Sequence, residues 1–381
     1  MTLPIAIIVV MLRPIQLIRF GPLRSERIGH FSKDTEIYLC QLDEKILSSK
    51  PFDIFYYKSP ISNRQLKKMW DRILHVSRIA KVFESVFRIL PGGRHHLDPI
   101  SNVAIDSQGL IARTQPHLFF TPEEEEKGQK TLREWGIPKD AQFICFQSRD
   151  SKYLEEKLPV LQKDRWRYHK YRDSYIHSYI PAIDALVQEE YYGFRMGSVA
   201  KETLKINNPR IIDYASNGYR TDFMDIYLAS KCKFFIGDTV GFNNVPIIFR
   251  RPFAFVNYIP MIPQSWSAGS LFIPKKLWVR NENRFLTFRE ILDPRAEMLF
   301  DQNKQYEKHG IEVIDNSPEE IAALSIEMDK RLKGTWHASD EDDELQERLL
   351  SIMSKSKFGN NNLTNTIMGA EFLRHNKNLL D

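Results

Sequence analysis

Three short stretches set arginine, small residues and carboxylates directly behind apolar runs. They are Ser148-Arg149-Asp150, Arg195-Met196-Gly197-Ser198, and the loop from Asp238 to Asn244, which contains Thr239, Gly241 and Asn243. In an open α/β sheet the ligand lies beyond the carboxyl ends of the strands, so these three loops are expected to meet. Guanidinium groups, accessible amides and hydroxyls together suit a diphosphate. Arginine binds phosphate in a forked geometry, and helix-terminal amides favour anions. Each feature also has a plain structural reading. Gly237 and Gly241 serve as turn glycines, and Arg149 and Asp150 pair with each other or cap a helix. Arg195 is harder to dismiss, because a strand flanked by apolar residues rarely carries an unpaired charge. Asp222 follows the expected N-cap Thr221, so the helix dipole already gives it a reason to exist.

The early segment IRFGPLRSERIGHFSKDTEIYL holds Gly21, Arg24, Arg27, Gly29 and His30 between apolar runs. If the first domain is also a parallel sheet, this loop faces the cleft. His30 then fits a general base, since its ordinary pKa lies close to working pH. Asp34 and Glu26 are alternatives, and a lone histidine is more often structural. The stretch KDRWRYHKYRDSY (163–175) mixes cations with aromatics. It reads as a solvated or mobile loop, as a lid over a phosphate ligand, or as a nucleic-acid patch.

The elements that must position these residues follow from periodicity. Residues 35–43 and 51–58 read as strands, 63–90 as one or two helices stopped by Pro91-Gly92-Gly93. Residues 121–137 read as a helix capped by Thr121, with Pro122 first and acids in its first turn. From 141 onward, strands at 141–150, 193–199, 210–216 and 232–238 alternate with helices at 174–192 and 220–231. Further apolar runs follow at 245–249 and 253–257. That alternation predicts a doubly wound parallel sheet. The expected division is 1–140, a first Rossmann-like domain on the acceptor side, then 141–335, a second that binds the ligand, then a helical tail 336–381. The tail opens on the acidic run Asp340 to Glu344, read as a solvated face.

With 381 residues, 42% hydrophobic and 27% charged, the chain is globular and long enough for two domains. Its net charge of +5 suits anionic ligands or an anionic membrane without calling for nucleic acid. Cys40, Cys145 and Cys232 sit in apolar runs, as reduced core thiols of a cytoplasmic protein do, and no Cys/His spacing suggests zinc. The apolar run LPIAIIVVML is too short to span a bilayer. It reads as a first buried strand or, with QLIRFG, as a hairpin or helix on the inner face of a membrane. The motifs GxSxG, GxxxxGK[ST], HExxH and GxGxxG are absent, the last counting against a dinucleotide oxidoreductase. No Asp-x-Asp stands at a strand end to hold a sugar-nucleotide metal.

FICFQSRDSKY, YRDSYIHSYIPAI, GFRMGS, the long stretch RTDFMDIYLASKCKFFIGDTVGFNNVPIIFRRPFAFVNYIP and IRFGPLRSERIGH resemble a family of bacterial glycosyltransferases of surface-polysaccharide loci. The resemblance covers roughly 15–330, and GAEFLRHNKNLL in the tail is similar too. It implies GT-B architecture, two Rossmann-like domains facing across a cleft, with the nucleotide sugar held mainly by the second. Arg149 is similar in placement to the arginine that fucosyltransferase-like enzymes set against the donor diphosphate. Here Gln147-Ser148-Arg149 stands where those enzymes have a histidine two residues before the arginine. The implied reaction moves a sugar from a nucleotide diphospho-sugar, as co-substrate, to a surface-polysaccharide or lipid-linked glycan, with no metal or other cofactor. Arg149 and Arg195 would offset the charge on the leaving diphosphate, with the Asp238–Asn244 loop supplying amides. Arg220 and Asp222 would orient base, ribose or sugar, and an acid, or His30, from the first domain would deprotonate the acceptor hydroxyl if the enzyme inverts. The alternatives are a nucleotide-sugar epimerase or hydrolase, and a non-catalytic glycan-assembly protein at the membrane.

Overall fold

The structure, a computed structural model, describes residues 2–46, 51–100, 106–150, 167–198, 202–262, 264, 266–293, 303–356, 359, 362–363 and 365–381. The first half opens with helix α1 (Thr2–Leu12), strand β1 (Ile18–Leu23), helix α2 (Ile28–Asp43) and strand β2 (Phe52–Tyr57). Helices α3 (Arg64–Trp70) and α4 (Ile79–Phe87) follow. β1 and β2 run parallel, from Ile18 opposite Phe52 to Leu23 opposite Tyr57. Single parallel bridges, Phe20 to Leu97 and Phe55 to Val76, flank the pair. The first-half sheet is therefore small.

The run LPIAIIVVML takes the helical one of its readings, within α1, and not the buried strand. One expectation fails here. Residues 35–43 are the second half of α2 rather than a strand. The cause is burial on two sides. Ile37 and Cys40 of α2 pack into the core of the second half, while Phe31, Tyr38 and Leu39 pack into a separate cluster. A helix buried on opposite faces loses the one-sided 3.6-residue stripe that identifies helices in sequence.

The second half begins with α5 (Leu110–Arg113) and α6 (Pro122–Glu134). α6 starts in a capping box: Thr121 accepts the Glu124 N–H, and the Glu124 carboxylate accepts the Thr121 N–H. Then come β3 (Phe143–Gln147), α7 (Ile180–Gln188), β4 (Tyr192–Arg195), β5 (Ile211–Ile212) and α8 (Asp222–Lys231). Next are β6 (Phe235–Gly237), α9 (Asn244–Ile248), β7 (Phe253–Tyr258) and β8 (Leu271–Pro274). The six strands form one parallel sheet in the order β5-β4-β3-β6-β7-β8. Counted within the sheet this is the 3-2-1-4-5-6 order of a doubly wound fold, and the chain reverses its winding between β3 and β6. Every residue of β7 is buried, as expected of a strand covered on both faces. Only Ile180–Gln188 of the helix expected over 174–192 is α-helical; a 3₁₀ turn, Ile176–Tyr179, precedes it.

A small antiparallel sheet follows, β9 (Lys276–Val279) between β10 (Arg284–Phe285) and β11 (Ile311–Ile314). Helices α10 (Phe288–Leu292), α11 (Asn303–Lys308), α12 (Pro318–Lys333), α13 (Asp340–Ser354) and α14 (Ala370–His375) complete the chain. The acidic run from Asp340 is the first turn of α13, where it complements the helix dipole and Ser339 caps. Leu349, Met353 and Leu373 of the tail pack into the second-half core. The two halves also share a core: Leu23, Phe31 and Trp70 cluster with Ile226, Val245 and Ile248.

Candidate active site

The reversal of winding places the ends of β3 and β6 side by side, with Gln147 opposite Gly237. Asp238 follows at once and is fully buried. Its Oδ2 accepts the Arg149 N–H at 2.8 Å and the Ser174 hydroxyl at 2.6 Å. The Asn243 side-chain amide donates to the Asp238 carbonyl. Burial pushes the Asp238 carboxyl up to about 6, against the pull of Ser174 and the Arg149 N–H. Asp238 Oδ1, Asn243 Oδ1 and Gln147 Oε1 are buried without a hydrogen-bond partner. Each such acceptor costs about 1–3 kcal/mol unless a donor reaches it. All three lie at this one strand junction.

Arg149 is the cation of this junction. Its Nε donates to Asp173 Oδ1 at 3.1 Å, and only 12% of its side chain is exposed. Burial raises Asp173 even though Arg149 lies beside it. The buried Lys275 ammonium donates to the carbonyls of Tyr171 (3.0 Å) and Asp173 (2.7 Å) and pairs with Asp315 at 2.7 Å. Asp173 and Ser174 belong to the stretch 163–175 read from sequence as a loop, a lid or a nucleic-acid patch; Lys275, directly after the buried run Leu271–Pro274, was not singled out. Asp150 is half-buried beside Arg149, and Ser148 likewise. Of the basic-aromatic stretch, residues 163–166 lie outside the described residues.

The second centre lies in the first half. A cavity of about 330 Å³ opens at the carboxyl ends of β1 and β2, lined among others by Arg24, His30, Asp34, Lys58, Glu84 and Arg88. His30 sits in the first turn of α2, and its Nδ1 lies 3.0 Å from Asp34 Oδ2, one turn on. Arg24 donates to the same oxygen at 3.4 Å. Asp34 is buried and His30 a third exposed. The carboxylate thus fixes one ring nitrogen and leaves Nε2 as the ring's other proton-accepting atom. Arg27 is the N-cap of α2, exposed, with no side-chain capping bond.

The seam between the halves joins the two centres. A Cβ on Gly29 would lie 2.9 Å from Gly241 Cα and 3.0 Å from its carbonyl oxygen. Asn244 Nδ2 donates to the Gly29 carbonyl at 3.2 Å. Gly29, Gly241 and Asn244 therefore hold the loop after β6 against the turn that carries His30. Thr239 Oγ1 accepts the Ile259 N–H at 3.3 Å, fixing the loop to β7.

The remaining residues chosen from sequence are held by other partners, although the end of β4 lies beside that of β3, with Arg195 in register with Phe146. Arg195 is buried and donates from Nη1 to the Glu202 carbonyl at 2.5 Å and to Asp213 at 3.4 Å, holding the chain that leads to β5. Gly197 has φ +150°, and half-buried Ser198 follows it. Arg220 donates to buried Asp225 at 2.7 Å. Asp222 Oδ2 accepts the Arg64 N–H at 2.8 Å and its carbonyl accepts from Asn63 at 2.9 Å, so it fastens α3 to α8.

Glu36, Cys40 and His117 bring three potential metal ligands within 4.8 Å of one another. The cluster already holds its own cations. Arg250 Nη1 lies 2.7 Å from Glu36. Burial opposes a charge on His117, but Cys40 and Glu36 outweigh it and push the ring up to about 10. The His117 ring bridges Glu36 and Asp43, each at 3.0 Å, so both of its nitrogens already have partners.

No protein-family model matches the chain, and no curated protein matches it in sequence. Its structure is similar to that of E. coli ADP-heptose lps heptosyltransferase II, with 12% identity, 62% of this chain and 84% of that chain covered, and a TM-score of 0.37. It is similar to a family 9 glycosyl transferase from Veillonella parvula (13%, 58% and 61%, TM-score 0.27). It is also similar to the dodecameric iron-containing heptosyltransferase TibC of E. coli (9%, 64% and 59%, TM-score 0.31). Likeness of this degree assigns no activity, and the function rests on the site.

Proposed function

We propose that the chain is a glycosyltransferase of GT-B type that moves a sugar from a nucleotide diphospho-sugar to a surface-polysaccharide or lipid-linked glycan. One observation carries this reading. Gly29, next to His30 of the His30–Asp34 pair, packs against Gly241 of the loop that leaves the strand junction of Arg149 and three unpartnered buried acceptors, which supports a site shared by the two halves. In this reading the donor diphosphate draws the Arg149 guanidinium from Asp173, and donor hydroxyls meet Asp238, Asn243 and Gln147. The acceptor occupies the cavity of the first half. Its hydroxyl oxygen attacks the anomeric carbon while its proton passes to His30 Nε2. The bond to the diphosphate breaks, and the diphosphate leaves with the electron pair. Asp34 stabilises the imidazolium that forms. Cationic side chains, Arg149 first, offset the charge on the leaving group without a metal.

The test is thermal unfolding of the purified chain with UDP-, GDP-, ADP-, CMP- and dTDP-sugars, with and without EDTA. A donor at about 100 times its Kd adds about 2.7 kcal/mol of stability. The expected result is a shift with one base that survives EDTA and disappears in Arg149→Ala. A shift retained in that variant removes Arg149 from the site. No shift with any donor overturns the reading.

A further inference from the structure

The outer face of α1 and α4 has no role in the site, and its composition is unusual. α1 is apolar from Leu3 to Leu12 and buries only Ala6 and Val9. Ile8 is 55%, Met11 74% and Ile15 84% exposed. α4 buries Ala80, Phe83 and Phe87 in the cluster it shares with α1, and leaves Ile79 and Val82 exposed, with Ile89 just beyond its end. Arg13, Arg78, Lys81 and Arg94 flank these residues, while Arg19, Arg72 and Arg88 are taken up by Asp53, Glu124 and Glu84. Glu84 is buried and bonded to Arg88 and Tyr56.

We infer that this face docks on a bilayer of anionic phospholipid. At about 1.5 Å per residue, the 11-residue α1 is roughly 16 Å long. No described helix is long and apolar enough to cross a membrane. An apolar helix that cannot span and cannot bury its side chains in the protein lies in the interface, with its side chains among acyl chains and the flanking cations at the phosphates. Glu84 of the same α4, and Arg88 just past its end, line the cavity from the side of the helix opposite Ile79 and Val82. The docking is independent of the glycosyltransferase reading.

The experiment is flotation of the full chain with vesicles of phosphatidylcholine alone and of phosphatidylcholine with about one quarter phosphatidylglycerol. The same samples receive the nucleotide-sugar unfolding assay. The expected result is partition to the anionic vesicles that weakens with salt. Each cation near the surface contributes several-fold, so the Arg13→Glu/Lys81→Glu variant partitions at least about 10-fold less. Ile8→Glu/Met11→Glu loses binding while its unfolding temperature and donor shift stay those of the parent. Equal partition to both vesicles, or none to either, overturns the inference while an intact donor shift leaves the enzyme reading standing. A dimer that Ile8→Glu/Met11→Glu dissolves, in protein that ignores vesicles, also overturns it by naming a second copy as the occupant.

Discussion

Replacing Gly29 with alanine tests the seam on which the site depends. In a solvent-facing helix this change favours folding by roughly 0.5–1 kcal/mol, because glycine gives up more chain freedom. Here the added methyl would stand 2.9 Å and 3.0 Å from the Cα and carbonyl oxygen of Gly241, and 3.2 Å from Asn244 Nδ2. The first two are backbone atoms and have no rotamer to escape into. Overpacking of this kind costs about 1–3 kcal/mol, so the net effect is a loss of about 1–2 kcal/mol. For a chain of 381 residues that corresponds to a fall in Tm of about 1–3 °C. The partner glycine supplies the control. A Cβ on Gly241 meets Gly29 at 3.5 Å and 3.6 Å, ordinary contact distances, so Gly241→Ala is close to neutral. Calorimetry of the two variants reads the asymmetry directly. Donor affinity should fall in Gly29→Ala as the turn bearing His30 is pushed off the loop. A Gly29→Ala protein as stable as the parent, or more so, would show that the two halves do not meet this closely.

Arg250→Ala should cost about 3–5 kcal/mol in denaturant unfolding, because it strips the guanidinium from fully buried Glu36 and from the Thr114 and Gln115 carbonyls. Asp238 is pushed up to about 6, so its ionisation opposes folding. The cost is absent below its unfolded value near 4, grows as pH rises, and is complete above about 6. Asp238→Asn should therefore flatten the stability curve between pH 4 and 7; an unchanged slope would mean the carboxyl is not held in this state. His117, held up to about 10, contributes stability that is complete below about 6.5 and is lost as pH rises through 10. His117→Gln should remove that alkaline decline.

The sequence showed the second half well for a physical reason. Strands buried on both faces are unbroken apolar runs, and Gly237-Asp238 and Gln147-Ser148 end two of them where the sheet order reverses. Thr121 and Thr221 cap the helices they were expected to cap, because a cap is a local arrangement of adjacent residues. What stayed hidden depends on contacts between distant residues. α2 hides its period because it serves two cores. Lys275 reaches Asp173 across about a hundred residues of chain. Arg195 has the composition expected of a ligand contact, yet its partners are the Glu202 carbonyl and Asp213, which no spacing rule could name. His30 was visible only as a residue type. Its relation to the junction comes from the Gly29 contact with Gly241, more than two hundred positions away.

The most direct test of a single site built from both halves is sugar transfer by His30→Ala, measured together with its donor Kd. The Arg149 junction is untouched in this variant, so donor affinity should equal that of the parent, while transfer falls by about 10²–10⁴-fold. Transfer at the parental rate in a folded, donor-binding variant would contradict the account, and the His30–Asp34 cavity would then have no part in the reaction.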